Sequence, residues 1–193
     1  MSNHNKSVLT FKNESVSFEN IYNLHISDLL SYGISLGFDE DTCRDAVHDM
    51  FFKMYEDKNK LVHIKDAKSY LFRCFRNRLF NIYNKASKIT PLTDENIQFT
   101  TNVTVLDTII TEEERNKLQQ VVSDLLESLT PRQREAIYLR YMQEMDYEDI
   151  SEILNMNSNS ARRLVHRGIK ALRENESISK NIFLFFTFYF FHF

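Results

Sequence analysis

The residues best suited to bind a charged ligand lie towards the C-terminal end of the chain. Between positions 157 and 173 there is no acidic residue, and the basic residues are Arg162, Arg163, Arg167, Lys170 and Arg173. Five acids precede this stretch: Glu144, Asp146, Glu148, Asp149 and Glu152. A helix that lies against phosphates needs such one-sided charge, because each neutralised phosphate releases condensed counterions. The pattern therefore favours DNA binding over catalysis.

The local sequence around this basic stretch predicts three short helices over residues 129–173, of which the last two form a helix-turn-helix. Thr130, Pro131 and Gln133 form a capping-box pattern. Residues 155–157 predict the turn, with Asn157 or Ser158 as the next cap. The apolar residues of the last helix recur at helical spacing and should face the core: Ala161, Leu164, Val165, Gly168 and Leu172.

The other side of the last helix is predicted to face solvent. It carries Asn159, Ser160, Arg162, Arg163, His166, Arg167 and Lys170. Because the N-terminal part of such a helix lies nearest the bases, Arg162 and Arg163 could recognise guanine and Asn159 adenine. Arg167, Lys170 and Arg173 lie further along and are better placed for phosphates. The alternative is a solvated basic helix on an unrelated bundle.

The composition predicts an all-α fold of two small helical domains. The chain has 193 residues but only 3 Gly and 2 Pro, which is typical of a largely helical protein. Its net charge of -3 says little about partners, because acidic and basic residues are concentrated in different segments. We divide it into a loose segment 1–17, a domain 18–85, a flexible linker 86–112, a domain 113–176 and an apolar tail 177–193. Cys43 and Cys74 are too few for a disulfide framework or a zinc site, which fits a cytoplasmic protein. We find no pattern for a metal, a cofactor, a small-molecule substrate or an enzymatic centre.

The N-terminal half predicts helices over about 18–36, 41–56 and 66–83. The expected buried stripe of the second is Ala46, Val47, Met50, Phe51, Met54 and Tyr55, and its opposite face is Asp45, His48, Asp49, Phe52 and Lys53. The third helix has an apolar stripe of Ala67, Leu71, Cys74, Phe75, Leu79 and Ile82. Its remaining face mixes Lys68, Arg73, Arg76, Asn77, Arg78 and Asn81 with aromatic residues. Such a mixture is typical of surfaces that bind single-stranded nucleic acid, although Phe72 and Phe75 are better explained as core.

The last twelve residues, 182–193, are almost entirely bulky and apolar. A helix of this length would span about 18 Å, which is less than the roughly 30 Å of a bilayer core, so we predict no transmembrane segment. Docking onto the protein's own core or into a partner is the preferred interpretation. Peripheral membrane contact and a cloning or frameshift relic are the alternatives.

The chain resembles a bacterial extracytoplasmic-function (ECF) sigma factor, a small promoter-specificity subunit of RNA polymerase. The resemblance covers roughly residues 18–83 and 113–174. DAVHDMFFKMYE and KSYLFRCFRNRLFNIY resemble sigma region two, and LTPRQREAIYLRYMQEMDYEDISEIL with NSARRLVHRGIKALRE resembles region four. The run SYGISLGFDEDTCRDAVHDMFFKMYE is similar to the form common in Bacteroides-type bacteria.

The resemblance implies three binding surfaces on this chain. Asp45, His48, Asp49, Phe52 and Lys53 would bind the polymerase beta-prime clamp. Lys68, Arg73, Arg76, Asn77, Arg78 and Asn81 would contact and help to melt the minus-ten element. Ser158, Asn159, Ser160, Arg162, Arg163, His166, Arg167 and Lys170 would recognise the minus-thirty-five element.

The implied partners are core RNA polymerase, including its beta flap, promoter DNA and an anti-sigma factor. Two other functions stay open at this point. A stand-alone helix-turn-helix regulator would bind an operator without polymerase, but it leaves the acidic and aromatic helix at 41–56 without a role. A membrane-associated adaptor organised around the tail leaves the basic faces unexplained.

Overall fold

A computed structural model describes residues 18–56, 66–86, 92–93, 97–100, 126 and 128–174. Within these residues the regular secondary structure is helical, in two compact units, 1–96 and 97–193. The helices are α1 (Phe18–Ser35), α2 (Glu40–Glu56), α3 (Ala67–Ala86), α4 (Pro131–Ile137), α5 (Tyr147–Ile153) and α6 (Ser158–Glu174), with a π-helical turn over Tyr138–Met142. The predicted all-α fold of two helical domains is confirmed.

Aspartates set the beginnings of two helices in the N-terminal unit. The Oδ1 atom of Asp39 accepts a hydrogen bond of 2.8 Å from the Thr42 backbone N–H, so α2 begins here. This bond stabilises the carboxylate and lowers the pKa of Asp39. Asp66 Oδ1 similarly accepts from the Lys68 N–H at 2.8 Å and begins α3. An N-cap of this kind typically contributes about 1 kcal/mol.

The core of the N-terminal unit lies where α1, α2 and α3 meet. Tyr32 and Phe72 are fully buried, with ring centroids 5.1 Å apart, and Phe75 is also fully buried. Gly33 allows this close approach, because a Cβ atom there would lie 2.5 Å from Cys43 Sγ and 2.9 Å from the Phe75 ring. The interpretation of Phe72 and Phe75 as core residues is therefore confirmed.

Neither cysteine forms a disulfide. Cys43 is buried and Cys74 is half-buried, and both are free thiols. Burial raises the pKa of the Cys43 thiol to about 11, because the charged thiolate would lose its hydration there. Cys43 is thus an unreactive core residue.

In the C-terminal unit, α4 and α6 begin at caps that the sequence predicts. Thr130 accepts from the Gln133 N–H at 3.3 Å while the Gln133 side chain accepts from the Thr130 N–H at 2.9 Å, which completes the capping box before α4. Of the two caps proposed for α6, Asn157 accepts from the Ser160 N–H at 2.8 Å. A second capping box, formed by Asp146 and Asp149 at the start of α5, was not predicted.

The helix-turn-helix consists of α5 and α6. Ile150, Ile153 and Leu154 are buried, and so are Ala161, Leu164, Val165 and Gly168 of α6, while Leu172 is half-buried. The turn between the helices needs a left-handed residue, and Asn155 supplies it with a φ of 49°. Gly168 brings α6 close to α4, since a Cβ atom there would lie 2.7 Å from Ile137 Cδ1.

Parts of the predicted linker 86–112 pack onto the two units. Leu92 exchanges two hydrogen bonds with the Asn84 side chain at the end of α3. Ile97 and Phe99 are buried in the C-terminal unit, where the Phe99 ring lies 5.5 Å from that of Tyr138. Arg134 Nε donates to the Phe99 carbonyl at 2.7 Å. The sequence did not indicate this packing, because two apolar residues in a Thr-rich segment show no period.

The segment 1–17, the remaining linker residues and the tail 177–193 lie outside the described residues. In the part that the structure describes, no helix has the length and apolar character needed to cross a membrane. In the same part, no three His, Cys, Asp or Glu side chains gather in a way that could hold a metal ion.

Candidate nucleic-acid and protein interfaces

The basic face of α6 is open to solvent. Its exposed side chains are Asn159, Arg162, Arg163, His166, Arg167 and Lys170, and Ser158 and Ser160 are half-buried. The buried stripe fixes the rotation of α6, so these polar residues share the opposite side. The predicted exposure of this face is confirmed, and α6 thus presents an acid-free surface until Glu174 at its last position.

Two contacts within α6 are weak enough to leave its charges available. Arg163 Nη2 lies 3.4 Å from Ser160 Oγ, and Lys170 Nζ lies 3.6 Å from Glu174 Oε1. Both members of the Lys170–Glu174 pair are largely exposed. Solvent screens such a pair, which is worth about 0.3–0.5 kcal/mol on a helix, so a phosphate could replace the carboxylate.

Arg162 differs from the other basic residues of α6, because it contacts another helix. Its Cζ atom lies 5.2 Å from the centroid of the Tyr147 ring, at the start of α5. Arg140 approaches the same ring, with its Cζ atom at 4.9 Å. Sequence reasoning did not identify Tyr147 or Arg140 as part of this surface, since the three residues are spread over 23 positions and belong to different elements.

One face of α2 is exposed along its whole length. Asp45, His48, Asp49, Phe52 and Lys53 follow the spacing i, i+3, i+4, i+7, i+8, and all five are exposed as predicted. Phe52 is 63% exposed. A large aromatic side chain among acidic groups on an open helix face suits protein recognition, where aromatic anchors dominate the binding energy.

Tyr55 corrects one detail of the predicted buried stripe of α2. It follows Phe51 by four positions and Phe52 by three, so spacing alone did not decide which side it takes. The structure leaves Tyr55 57% exposed, whereas Phe51 is buried. Tyr55 therefore extends the exposed aromatic surface of Phe52.

The basic face of α3 is divided between exposed and internally paired residues. Asn77 and Asn81 are exposed, whereas Lys68, Arg73 and Arg78 are half-buried. Lys68 lies 3.8 Å from Asp28 of α1, and Arg73 stacks over the Tyr70 ring with its Cζ atom at 5.6 Å. The mixture of basic and aromatic residues in α3 is thus partly a set of contacts within the protein.

Arg76 is a correction to the predicted face of α3. It is 3% exposed, and its guanidinium lies over the Phe80 ring with Cζ at 4.3 Å from the centroid. A side chain buried to this extent does not offer its donors to DNA in this conformation. The prediction that Arg76 lies on the solvent face was wrong, because its place between Phe75 and Asn77 did not reveal how far the core extends around α3.

Arg78 forms an ion pair with Asp49 of α2. This contact brings together one residue from the predicted polymerase surface and one from the predicted minus-ten surface. The Nε atom of Arg78 is buried and has no hydrogen-bond partner among the residues that the structure describes. The fold therefore places the two predicted surfaces side by side on the N-terminal unit.

The helix-turn-helix matches a known family model. Residues 119–172 match the model described as Sigma-70, region 4. The ECF RNA polymerase sigma factor SigM of Bacillus subtilis (strain 168) is 21% identical over 158 residues, which cover 82% of this chain and 94% of SigM. The RNA polymerase sigma factor SigV of the same organism is 22% identical over 149 residues, 77% of this chain and 84% of SigV.

A solved structure is similar in fold. The sigma factor RpoE of Bartonella quintana, in complex with the anti-sigma factor NepR, aligns with a TM-score of 0.58 and 23% identity. The alignment covers 82% of this chain and 96% of that chain. This likeness supports the two-domain helical fold.

The fold and the basic helix-turn-helix define a DNA-binding protein of the transcription machinery. More specifically, residues 119–172 match Sigma-70 region 4 and most of the chain is similar to ECF sigma factors, which supports the predicted family. Members of this family are transcription-initiation factors, not classical enzymes, and they bind core RNA polymerase and promoter DNA. A stand-alone regulator is not favoured, because the sigma-factor relatives match most of the chain and not only the helix-turn-helix. The Bacteroides-type lineage stays a prediction.

Proposed function

We propose that this sigma factor has three binding surfaces, each for a different partner or promoter element. The exposed face of α2, from Asp45 to Lys53, binds the beta-prime clamp of core RNA polymerase. The open part of α3, represented by the exposed Asn77 and Asn81 and the half-buried Arg78, contacts the minus-ten element. The basic face of α6 binds the minus-thirty-five element, with Arg162 and Arg163 towards the bases.

The exposed face of α6 is the observation that carries this proposal. Its cations stand on one side of a helix whose other side is buried, and the acids of α5 precede α6 in sequence. A helix with this charge and rotation can lie in the major groove with its N-terminal residues at the base edges. Arginines there can form paired hydrogen bonds to guanine.

The mechanism is physical, because no bond chemistry is assigned to this chain. Binding of both units to one polymerase makes the second DNA contact intramolecular, so two weak contacts act as one strong contact. Capture of unpaired bases at α3 offsets the cost of unstacking, which is a few kcal/mol per base. The polymerase supplies the catalysis.

Run-off transcription with purified core polymerase on a genomic library tests the proposal. The wild-type chain should direct initiation from a defined set of promoters. Arg162→Ala should retain polymerase binding and lose promoter choice, whereas Asp49→Ala should lose polymerase binding. If the wild-type chain neither binds core polymerase nor selects start sites, the proposed function is wrong.

A matched control separates base recognition from phosphate contact. Arg167→Ala removes an equal charge from the same exposed face of α6. We expect it to weaken binding to all promoters similarly and to reduce the salt dependence of binding by about one unit of slope. A change of promoter choice in Arg167→Ala and none in Arg162→Ala would reverse the assigned roles.

The remaining predictions concern partners and location. We propose that the chain acts in the cytoplasm, where the polymerase and the chromosome are, and that an anti-sigma factor and the beta flap are further partners. The apolar tail is proposed to dock onto the protein or into the anti-sigma factor. Deletion of residues 181–193 should then change solubility or anti-sigma binding, and no change in either would exclude both roles.

A further inference from the structure

Two arginine side chains, those of Arg140 and Arg162, lie near the aromatic ring of Tyr147. The Cζ atoms of Arg140 and Arg162 lie 4.9 and 5.2 Å from its centroid, within the roughly 6 Å range of a cation–π interaction. Arg140 is held in place by the backbone, since its Nη1 atom donates to the Met145 carbonyl at 2.6 Å. Arg162, in contrast, is exposed.

The position of Tyr147 is fixed by the beginning of α5. Tyr147 is the first residue of that helix and directly follows its cap. Asp146 Oδ1 accepts from the Glu148 and Asp149 N–H groups at 3.0 and 2.9 Å, and Asp149 Oδ2 accepts from the Asp146 N–H at 3.3 Å. The backbone on both sides of the ring is therefore held by reciprocal hydrogen bonds.

We propose that Tyr147 is a positioning residue that orders Arg162 for base recognition. This inference rests on the proposed role of α6 in reading DNA. A guanidinium that lies over a ring uses its flat face, so the N–H donors at its edge stay available for a base. Ordering the side chain before binding also lowers the entropy lost when it engages the groove.

The contact with Tyr147 distinguishes Arg162 from the neighbouring Arg163. Arg163 contacts Ser160 of its own helix, only one turn away, at 3.4 Å. Arg162 is instead attached to a residue of another helix, so its direction depends on how α5 and α6 pack. The structure therefore assigns Arg162 the more defined direction of the two, and base discrimination should depend on Tyr147 through Arg162.

A double-mutant cycle in the full chain with core polymerase tests this inference. The probe is a DNA duplex selected by the wild-type holoenzyme from a randomised pool, with a scrambled duplex as the non-specific reference. Tyr147→Phe keeps the ring and should bind as the wild type does. Tyr147→Leu should weaken specific binding by about two- to fivefold, the size of an exposed cation–π contact, and relax the base preference that Arg162→Ala also relaxes.

The effect of Tyr147→Leu with and without Arg162 distinguishes a positioning role of Tyr147 from a merely structural one. In the Arg162→Ala background, Tyr147→Leu should have no further effect on specific binding. In either background, Tyr147→Leu should leave binding to the scrambled duplex unchanged. An equal loss on both duplexes, or a full effect that persists without Arg162, would overturn the inference. A wild-type holoenzyme that selects no duplex would instead contradict the proposed function.

A measurement on the free chain is independent of DNA and of the folding of Tyr147→Leu. The Tyr147 ring current should move the Arg162 side-chain proton resonances upfield in the NMR spectrum of the wild-type chain. Tyr147→Phe should retain this shift. Arg162 resonances at ordinary positions in the wild-type chain would contradict the positioning role.

Discussion

Asp49 of α2 and Arg78 of α3 form an ion pair, although 29 positions separate them in the sequence. The family resemblance assigns Asp49 to the polymerase surface and Arg78 to the minus-ten surface. The pair therefore joins the two proposed surfaces of the N-terminal unit. If the proposed roles hold, each partner should exchange this contact for an intermolecular one when DNA or polymerase binds.

The Asp49–Arg78 pair allows direct binding to be separated from indirect effects. The side chains are 51% and 27% exposed, so solvent screens the pair and its loss should cost less than about 1 kcal/mol of stability. Asp49→Ala and Arg78→Ala both break it, but only Asp49→Ala should abolish binding to core polymerase in a pull-down assay. Equal loss in the two variants would mean that the pair acts by holding α2 and α3 together.

Arg76→Ala should destabilise the N-terminal unit. Arg76 is buried and lies over Phe80, so truncation removes this contact and the packing of the long side chain, at a cost of about 1–3 kcal/mol. Asn77→Ala, at the exposed neighbouring position, should leave stability within about 0.5 kcal/mol. Urea unfolding followed by circular dichroism measures both, and an Arg76→Ala chain of unchanged stability would return Arg76 to the candidate DNA contacts.

Phe99→Ala should destabilise the C-terminal unit by about 3–5 kcal/mol, as large-to-small core substitutions do. Phe99 is fully buried beside Tyr138, and Arg134 holds its carbonyl. Gln98→Ala is the control, since Gln98 is exposed. Hydrogen exchange resolved by mass spectrometry should report faster exchange in α4 to α6 of Phe99→Ala only; unchanged protection would place Phe99 outside the folding unit.

The stability of the N-terminal unit should fall at mildly acidic pH because of His25. Its side chain is 5% exposed, and neither ring nitrogen has a hydrogen-bond partner among the described residues. Burial lowers the pKa of His25 below 6.5, and nearby Lys68 adds to this effect, whereas Asp28 and Asp66 oppose it. The unfolded chain therefore binds the proton more tightly than the folded chain does. The contribution of neutral His25 to the free energy of unfolding is fully present above pH 6.5, and it decreases as the pH falls from 6.5 towards the lowered pKa of His25 in the folded state.

Urea unfolding at pH 7.5 and 5.5 measures the contribution of His25. His25→Leu should reduce the difference between the two pH values, and at pH 7.5 it should be neutral or stabilising because it removes a buried polar group without partners. His166→Gln, which changes an exposed histidine, should keep the wild-type difference. A His25→Leu chain with the full wild-type pH dependence would assign the effect to other groups.

Local rules made several parts of this protein predictable. The capping box at Thr130 and the cap at Asn157 depend on residues three positions apart, so the sequence contains the whole motif. The exposed faces of α2 and α6 follow from helical spacing, because residues at this spacing share the side of the helix opposite its buried stripe. Tyr55 was harder to place, since it lies at the border between the two sides.

The sequence by itself determined the helices, the caps at Thr130 and Asn157, the sorting of charge and the family resemblance, all of which depend on near neighbours in the chain. The tertiary structure alone decided that Arg76 is buried, that Asp49 meets Arg78 and that Arg162 lies over Tyr147. Helical periodicity gives the direction in which a side chain leaves the helix axis. It does not give the residue of another element that the side chain contacts. That neighbour depends on how the helices pack, which is a property of the whole folded unit.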